Sequence, residues 1–402
     1  MDRRTFFRTG LLGALAVAGA PMVNLGRCRL EAATSVEVST RAIDLVLGST
    51  VVDMLGLLTL DWSRLAAWRA HPDRFVETDY RRLEASGVNV FHPAVETGYA
   101  DAFKGAVRWI NGWNRLLGAH GCFLARVDTV ADLVHAPVVG KIGVVVGFQN
   151  ATHFRTAADV GAFFRHGQRV SQLTYNAANR LGSGAYAGRD QGLTAYGAEI
   201  VAEMNRVGMA IDVSHCGDRT SRDAFAASRE PVLVTHANCR ALVPGHPRCK
   251  PDSVIRRMAK NGGVMGITVV RAFVSHKRAP DFDDLLDHFD HVARVAGVEH
   301  VGLGSDTDLT AANPRTGRAD PIYAIRGLDP AIRVFQIADG LLRRGYGADD
   351  VRLVLGGNFL RALAAVLPDD RRKPLRSEET LRRDPFCPAP RPGGPVLARP
   401  RG

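Results

Sequence analysis

The sequence predicts an α/β fold, a (β/α)8 TIM-type barrel, with an N-terminal export signal before it and an irregular C-terminal tail after it. Eight β-rich runs alternate with longer amphipathic stretches between about residues 43 and 366. Several runs are almost continuously apolar, which is typical of strands buried on both faces of a parallel sheet. The eight runs are 45–53, 88–95, 142–149, 171–176, 209–215, 231–236, 263–270 and 300–306.

Helix-like stretches separate these runs. Residues 196–206 precede the fifth run, residues 251–261 the seventh and residues 283–296 the eighth. Eight strand-and-helix units in one chain predict a closed barrel, which we assign to residues 41–367. A doubly wound open sheet is the competing fold. Its dinucleotide-binding form has no support, because no G-x-G-x-x-G motif follows a strand.

The first 33 residues resemble a twin-arginine export signal. Arg3 and Arg4 are followed by Phe6 and Phe7, and a Gly- and Ala-rich apolar stretch extends from residue 10 to about residue 25. This stretch is too short and too rich in small residues for a stable membrane span. We therefore expect export by the twin-arginine route, a periplasmic or extracellular location, and no transmembrane span in the mature chain.

Most of the positive charge lies at the two ends of the chain. Of the formal net charge of +11, residues 1–33 carry +3 and residues 371–402 carry +6, which leaves +2 for residues 34–370. A nucleic-acid partner is not expected, because a phosphate-binding groove would place its basic residues in the folded body. Residues 368–402 are rich in Pro and Arg and poor in large apolar side chains, which predicts a mobile or surface-draped tail.

Polar residues capable of chemistry stand at the ends of six of the eight runs. The strands of such a barrel all point the same way, so their carboxyl ends form one rim, and this rim is where active sites are built. Residues more than 250 positions apart are thereby predicted to converge on one mouth. They are Asp53, Gln149, Asn176, His215, His236 and Asp306.

Two imidazoles and two carboxylates on this rim predict a metal site. His215 and His236 follow neighbouring strands and could share one cation, while Asp53 and Asp306 supply anionic oxygens. This donor set suits zinc, ahead of manganese or iron. A zinc-bound water loses a proton near neutrality, and Asp306 is the candidate that takes it up. The structural alternative is a hydrogen-bonded strand-end His and an Asp that caps the following helix.

Seven segments of the body form a more specific pattern. They are QLTYN at 172–176, GLTAYG at 192–197, MNRVGM at 204–209, DVSH at 212–215, THAN at 235–238, VGLGSD at 301–306 and GGNFLR at 356–361. Together they resemble the membrane dipeptidase (renal dipeptidase) family over nearly all of residues 43–366. The resemblance implies an amidohydrolase-like barrel with two zinc ions that hydrolyses dipeptides, with related members acting on D-amino-acid or β-lactam amides.

The resemblance also assigns roles to the rim residues. It implies that His215 and His236 bind one zinc ion, and that Asp53 and Asp306 bind the other, with Asp306 also handling the proton. Tyr175 stands where the dipeptidases of the family often carry a His that steadies the reacting carbonyl, and its phenol could donate a hydrogen bond instead.

Two departures from the family pattern reduce the expected metal content. The first strand of the family ends in His-x-Asp, but Val51 stands in place of that His. The third strand of the family supplies a bridging Glu, and Gln149 stands there. A Gln keeps an oxygen donor but lacks the charge that lets a carboxylate bridge two dications. We therefore expect one zinc ion rather than two, on the side of His215 and His236.

The substrate-binding candidates include two arginines. A planar guanidinium suits a substrate carboxylate. Arg248 lies nearest the substrate-binding Arg segment of the family, and Arg240 is the second choice; a solvated surface Arg is the alternative for both. Tyr175 and Asn176, at the end of the fourth run, complete the candidate set.

The leading hypothesis is an exported zinc hydrolase that cleaves a small amide, most plausibly a dipeptide. One rival is a catalytically weak or silent barrel that binds a small ligand or partner, suggested by the missing His and Glu. Another is a single-metal hydrolase of a different ester, lactone or amide. Relatives in the family are often dimeric, so a homodimer is a further expectation, although the sequence carries no interface signature.

Overall fold

The structure, a computed structural model, describes residues 27–29, 37–98 and 100–369. Most of the predicted export signal and all but two residues of the predicted tail lie outside these ranges, so both remain predictions. A short antiparallel pair joins β1 (Arg27–Arg29) to β2 (Glu37–Ser39) ahead of the main body. Within the described ranges, no helix is both long and apolar enough to cross a membrane.

The main body is built on one sheet in which every pairing is parallel. Its strands are β3 (Val52–Asp53), β4 (Val90–Phe91), β5 (Ala94–Val95), β6 (Leu124–Arg126), β7 (Ile142–Val144), β8 (Gly147–Phe148), β9 (Val170–Gln172), β10 (Ala210–Asp212), β11 (Val232–Ala237), β12 (Met265–Ile267) and β13 (Val301–Leu303).

The strand order shows that this sheet closes on itself. It runs β5-β8-β9-β10-β11-β12-β13-β3-β4-β7-β6. β4 and β5 are consecutive parts of one chain run, and so are β7 and β8. Because β4 pairs with β7 while β5 pairs with β8, the two ends of the order meet. Counted by run, eight strands form the barrel, which confirms the predicted fold class. β6 is an additional strand, paired with β7, that the sequence did not predict.

Helices follow the strands and cover the outside of the barrel. They are α1 (Thr40–Leu47), α2 (Trp62–Ala70), α3 (Glu77–Ala85), α4 (Ala102–Ala119), α5 (Val130–Val138), α6 (Ala157–His166), α7 (Ala195–Val207), α8 (Asp218–Ala227), α9 (Asp252–Lys260), α10 (Arg271–Val274), α11 (Phe282–Ala296), α12 (Arg333–Arg343), α13 (Ala348–Arg352) and α14 (Asn358–Val366). Short 3-10 turns at Pro72–Arg74, Val298–His300 and Pro321–Tyr323 and a π-helical turn at Leu353–Gly357 complete the body.

The prediction of one continuous strand over residues 45–53 is wrong in its first half. Residues up to 47 belong to α1, and the strand is confined to Val52–Asp53. Ser39 caps this helix, because its side chain accepts a hydrogen bond from the backbone N–H of Ala42 at 3.2 Å. The apolar residues of α1 are buried against the body, so the same hydrophobic signal that suggested a strand is satisfied by an amphipathic helix.

The end of β13 lies unusually close to β11, and a glycine permits this approach. A β-carbon at Gly304 would collide with the backbone carbonyl oxygen of Thr235. The bare glycine backbone therefore brings Ser305 and Asp306, which follow it, against the end of β11, where His236 lies. All six residues of β11 are buried, so this part of the rim rests on a packed core.

Candidate active site at the carboxyl rim of the barrel

The structure brings the two predicted imidazoles into contact. His215, which follows β10, and His236, near the end of β11, point their Nε2 atoms at each other at 3.0 Å. Both side chains are buried, with exposed fractions of 6% and 0%. This juxtaposition is the geometric centre of the candidate site.

The other ring nitrogen of His215 is held by Asn176. The two atoms, Nδ1 of His215 and Oδ1 of Asn176, are 2.8 Å apart. An amide oxygen only accepts, so Nδ1 carries the hydrogen and Nε2 keeps a bare lone pair. Tyr175 stacks on the same imidazole, with ring centroids 4.2 Å apart. Both residues thus contact His215 directly, and Asn176 does so from a left-handed backbone conformation of its own, with φ +58°.

The other ring nitrogen of His236 is held through a relay that ends on a buried carboxylate. Thr235 Oγ1 lies 2.9 Å from Nδ1 of His236 and donates its own hydrogen to Asp212 at 2.6 Å. The hydroxyl must therefore accept from Nδ1–H, which again leaves Nε2 of His236 bare. Asp212 also accepts hydrogen bonds from the backbone N–H and hydroxyl of Ser214 and from the backbone N–H of Thr235.

Two lone pairs that face each other at 3.0 Å need a positive centre between or beside them. Burial lowers the pKa of both His215 and His236 well below the usual value, and the positive charge of Arg248 lowers it further. Two nitrogens bound to one tetrahedral zinc ion lie about 3.3 Å apart. The orientation and spacing of this pair therefore fit one divalent cation.

A third buried imidazole, His92, lies at the same end of the barrel and was missed in the sequence. Its Nδ1 lies 2.8 Å from the backbone carbonyl of Met54, so Nδ1 donates, and no described residue pairs with its buried Nε2. Burial lowers the pKa of His92, and the charges of Asp212 and Asp53 partly offset this. The sequence does mark His92 in one way: it is a polar residue inside a largely apolar second run, and Pro93, which interrupts a strand, follows it.

Asp53 reaches the rim but is not free to bind a cation. Its Oδ1 accepts from the backbone N–H of Ser305 at 2.8 Å, and its Oδ2 accepts from the Ser305 hydroxyl at 2.6 Å. Arg333 forms a buried ion pair with the same Oδ2, at 2.8 Å from Nη2 and 3.3 Å from Nε. The structure therefore does not present Asp53 as the open metal ligand that the sequence predicts.

Asp306 lies beside these groups with its carboxylate unengaged. Its side chain takes no hydrogen bond from any described residue, and its backbone has φ +58° with its N–H bonded to Leu55 O at 2.9 Å. Burial raises the pKa of Asp306 to about 7; the charge of Arg248 opposes this rise and that of Asp53 adds to it. A carboxyl group with such a pKa can both accept and donate a proton near neutral pH.

Gln149 lies at the end of β8, as predicted, but its amide is turned to the neighbouring strand. Its Nε2 donates to the backbone carbonyl of Ala94 at 3.2 Å, and its backbone N–H bonds to Val95 at 3.0 Å. Glu96 follows β5 close by and binds the side-chain amide of Asn150 at 3.2 Å. This rim carboxylate was not predicted, although it too follows directly on a strand.

The two candidate arginines differ in their surroundings. Arg248 is buried beside the imidazoles, and its guanidinium donates to the backbone carbonyls of Ser214 and His236. Its Nε–H is buried without an acceptor among the described residues. Arg240 instead forms an ion pair with Asp218 at 2.5 Å and donates to backbone carbonyls of residues 246–249. Arg240 therefore fixes the loop that carries Arg248.

Tyr323, in the long segment after β13, was not predicted. Burial raises the pKa of its phenol, and the negative charge of Asp306 raises it further. No sequence signal marked it, because it lies outside the repeating strand-and-helix pattern.

The donor set at the rim fits one cation and does not fit a second. No group of three or more His, Cys, Asp or Glu side chains is gathered as a metal site within the described ranges. The facing imidazoles form a pair of potential ligands, and Asp306 is not gathered with them as a third. On the other side, Asp53 is bonded to Ser305 and Arg333, Val51 offers no donor, and Gln149 is turned to Ala94.

A family model and the similar proteins point to the same family. The family model for membrane dipeptidase (peptidase family M19) matches residues 40–376. The chain is 31% identical to dipeptidase aclJ of Aspergillus oryzae over 63% of its own length and 59% of that protein's length. It is 29% identical to dipeptidase verJ of Clonostachys rogersoniana, over 74% and 72% of the two chains.

A solved structure also resembles this chain in its fold. The crystal structure of an amidohydrolase from Pseudomonas aeruginosa superimposes with a TM-score of 0.68 at 27% identity, covering 81% of this chain and 99% of the other. The family match spans most of the described body and includes every rim residue discussed above. The chain therefore belongs to the membrane dipeptidase family, peptidase family M19.

Proposed function

We propose that the chain is a metal-dependent hydrolase that cleaves a small amide, a dipeptide in the first instance, with one zinc ion held by His215 and His236. The observation that carries this proposal is the pair of bare Nε2 atoms facing each other at 3.0 Å. Zinc is favoured because imidazole nitrogens are among its preferred ligands. The dipeptide substrate is supported by the names of the two fungal relatives.

When bound, a zinc ion supplies a water that is acidic enough to ionise near neutral pH. The proton of the reaction is assigned to Asp306. Its carboxylate is unengaged by described residues and its pKa is about 7, so both protonation forms are populated at neutrality. It can thus accept a proton at one stage of amide cleavage and return it to the leaving amine at another.

Arg248 is the candidate for holding the substrate carboxylate. Its guanidinium is already oriented by two backbone carbonyls, and its buried Nε–H still needs an acceptor. A terminal carboxylate of a dipeptide would provide that acceptor and pair with the charge. Tyr175, whose ring stacks on His215, is the candidate for a hydrogen bond from its phenol to the same substrate. Arg240 is left with the structural role described above.

The test is hydrolysis of a dipeptide panel by the zinc-loaded chain. We expect turnover that is lost on metal removal, restored by zinc, and reduced by at least a hundredfold in Asp306→Asn. The matched control is Asp349→Asn, because Asp349 is 97% exposed on the helix α13. Full activity in Asp306→Asn would exclude the proposed proton transfer, and a zinc-loaded protein with no turnover of any dipeptide would exclude the substrate.

A single-metal hydrolase of another ester, lactone or amide is the second candidate. It is favoured by one observation, the engagement of Asp53 by Arg333, which leaves a site unlike one built for two cations. Esters, lactones and non-peptide amides belong in the same substrate panel. Turnover of one of these without dipeptide turnover would select this candidate, whereas metal-free, inactive protein would select a silent binding barrel.

We also propose that the chain is exported by the twin-arginine route to the periplasm or the extracellular space. The support is the sequence of residues 1–33, with Arg3 and Arg4 ahead of a weakly hydrophobic stretch. The test is cell fractionation of the full chain beside an Arg3→Lys/Arg4→Lys variant. Equal export of the two chains would refute the route.

A further inference from the structure

Arg333 and Asp53 form a buried ion pair at the rim that takes no step in the reaction proposed above. The exposed fractions of the two side chains are 2% and 1%. The carboxylate of Asp53 accepts four hydrogen bonds, two from Ser305 and two from the guanidinium. Its charge and its hydrogen-bonding capacity are therefore satisfied by the protein itself.

The guanidinium is held independently of Asp53. Nη1 of Arg333 donates to the backbone carbonyl of Pro330 at 2.7 Å and to that of Asp308 at 3.2 Å. Arg333 is also the first residue of α12, whose next residues are buried in the core. The guanidinium is covalently part of the chain, so this positive charge cannot exchange with ions in solution as a bound metal ion can.

A metal ion at Asp53 would have to displace or face this fixed positive charge. Like charges at contact distance in a buried site repel strongly, because the surroundings screen them poorly. The two positions at which the family resemblance expects further ligands carry Val51 and Gln149, neither of which offers a charge. His92 at the same end of the barrel adds an imidazole but no negative charge to offset that of Arg333. The charge of Arg333, the apolar Val51 and the uncharged Gln149 therefore all disfavour a second metal ion at Asp53.

We propose that Arg333 takes the place of a second metal ion, serving as a built-in cation for Asp53, so that the centre holds a single exchangeable ion at His215 and His236. This inference rests on the proposed function for the single ion. It adds that the mononuclear state is imposed by the chain, rather than by the supply of metal.

The ion pair is also connected to Asp306 through Ser305. Asp53 fixes both the backbone N–H and the hydroxyl of Ser305, and the next residue, Asp306, has the uncommon φ of +58°. Asp53 thereby links Arg333 to Ser305, the residue that precedes Asp306.

The test is a metal count on the full chain and its variants. Apo-protein is equilibrated with zinc or with manganese, freed of loose metal by gel filtration, and analysed for metal per chain. We expect one equivalent in the wild type at saturation and also in Arg333→Lys, which keeps the charge. In Arg333→Met we expect a second equivalent of metal that binds more weakly than the first. Adding metal should also raise the melting temperature of Arg333→Met by more than it raises that of the wild type. Arg343→Met, an exposed change on the same helix, is the matched control and should behave as the wild type.

A double variant keeps the proposal testable if Arg333→Met does not fold, since removing one partner of a buried pair is strongly destabilising. Asp53→Asn/Arg333→Met removes both charges, and we expect it to bind one equivalent. Two equivalents in the wild type or in the double variant, or a folded Arg333→Met that binds one equivalent and gains no extra stabilisation from metal, would overturn the proposal. No metal in the wild type would instead overturn the proposed function, so the two failures are distinct.

Discussion

The hydroxyl of Thr235 is predicted to control metal affinity without touching the metal. It joins the Nδ1 of His236, at 2.9 Å, to the carboxylate of Asp212, at 2.6 Å, and the whole relay is buried. Thr235→Val keeps the shape of the side chain and removes the hydroxyl. It leaves Asp212 with three of its four hydrogen bonds and leaves the Nδ1–H of His236 without an acceptor.

The size of both effects follows from these contacts. Loss of one hydrogen bond to a buried carboxylate should lower the free energy of unfolding by about 2 kcal/mol. Loss of the partner that fixes the tautomer and direction of a metal-binding imidazole weakens metal binding by about 10- to 100-fold. That range corresponds to about 1.4–2.8 kcal/mol of binding free energy.

The assay is competition for zinc against a chelating indicator, with urea unfolding of the apo-protein in parallel. The matched control is Thr220→Val, because Thr220 is a buried threonine whose hydroxyl donates to Asp190 at 2.9 Å. Both variants should lose similar stability, but Thr235→Val alone should lose zinc affinity. Unchanged zinc affinity in Thr235→Val would refute the relay as the group that orients His236.

Three further predictions concern proton transfer, acid stability and the loop that carries Arg248. Because Asp306 must accept a proton, its pKa of about 7 predicts that activity rises with pH through about 7; a rate that is flat from pH 6 to 8 would contradict this. Burial lowers the pKa of His153 from 6.5 to about 4, so the unfolded chain takes up the proton first as the pH falls. Between pH 6.5 and 4 the wild type should then lose about 3 kcal/mol more unfolding free energy than His153→Leu, because the other buried histidines contribute equally to both proteins; an equal slope in both would rule out a contribution from this histidine. Arg240→Ala frees the loop from Asp218 and should raise the KM for dipeptides severalfold with little change in kcat, whereas a fall in kcat alone would point to a direct role in the reaction.

The parts of the site that follow from the strand pattern could be predicted from the sequence. His215 and His236 are 21 positions apart and end neighbouring strands, so the period of the fold alone places them together. The same logic placed Asn176 and Asp306 at the rim. His92 obeys this rule as well, but the sequence pattern predicts one second run that extends unbroken to Val95, whereas the structure divides it into β4 and β5, with His92 directly after β4.

The parts that depend on contacts between distant elements could not be predicted. Asp53 and Arg333 are 280 positions apart, and no strand-end rule pairs a rim carboxylate with the first residue of a helix. The apolar spacing of α12 does place Arg333 on the buried face with Ile337 and Leu341, which was a usable sign that this arginine is not a surface residue. The sequence could not show what it would meet there.

The zinc-edge X-ray absorption spectrum of the zinc-loaded chain tests the central claim most directly, because it reports the ligands of the ion. Two imidazole nitrogens at about 2.0 Å, reduced to one in His236→Ala, is the expected result. A spectrum without imidazole scattering, or one identical in the wild type and His236→Ala, would show that the facing histidines of the barrel rim do not bind the metal.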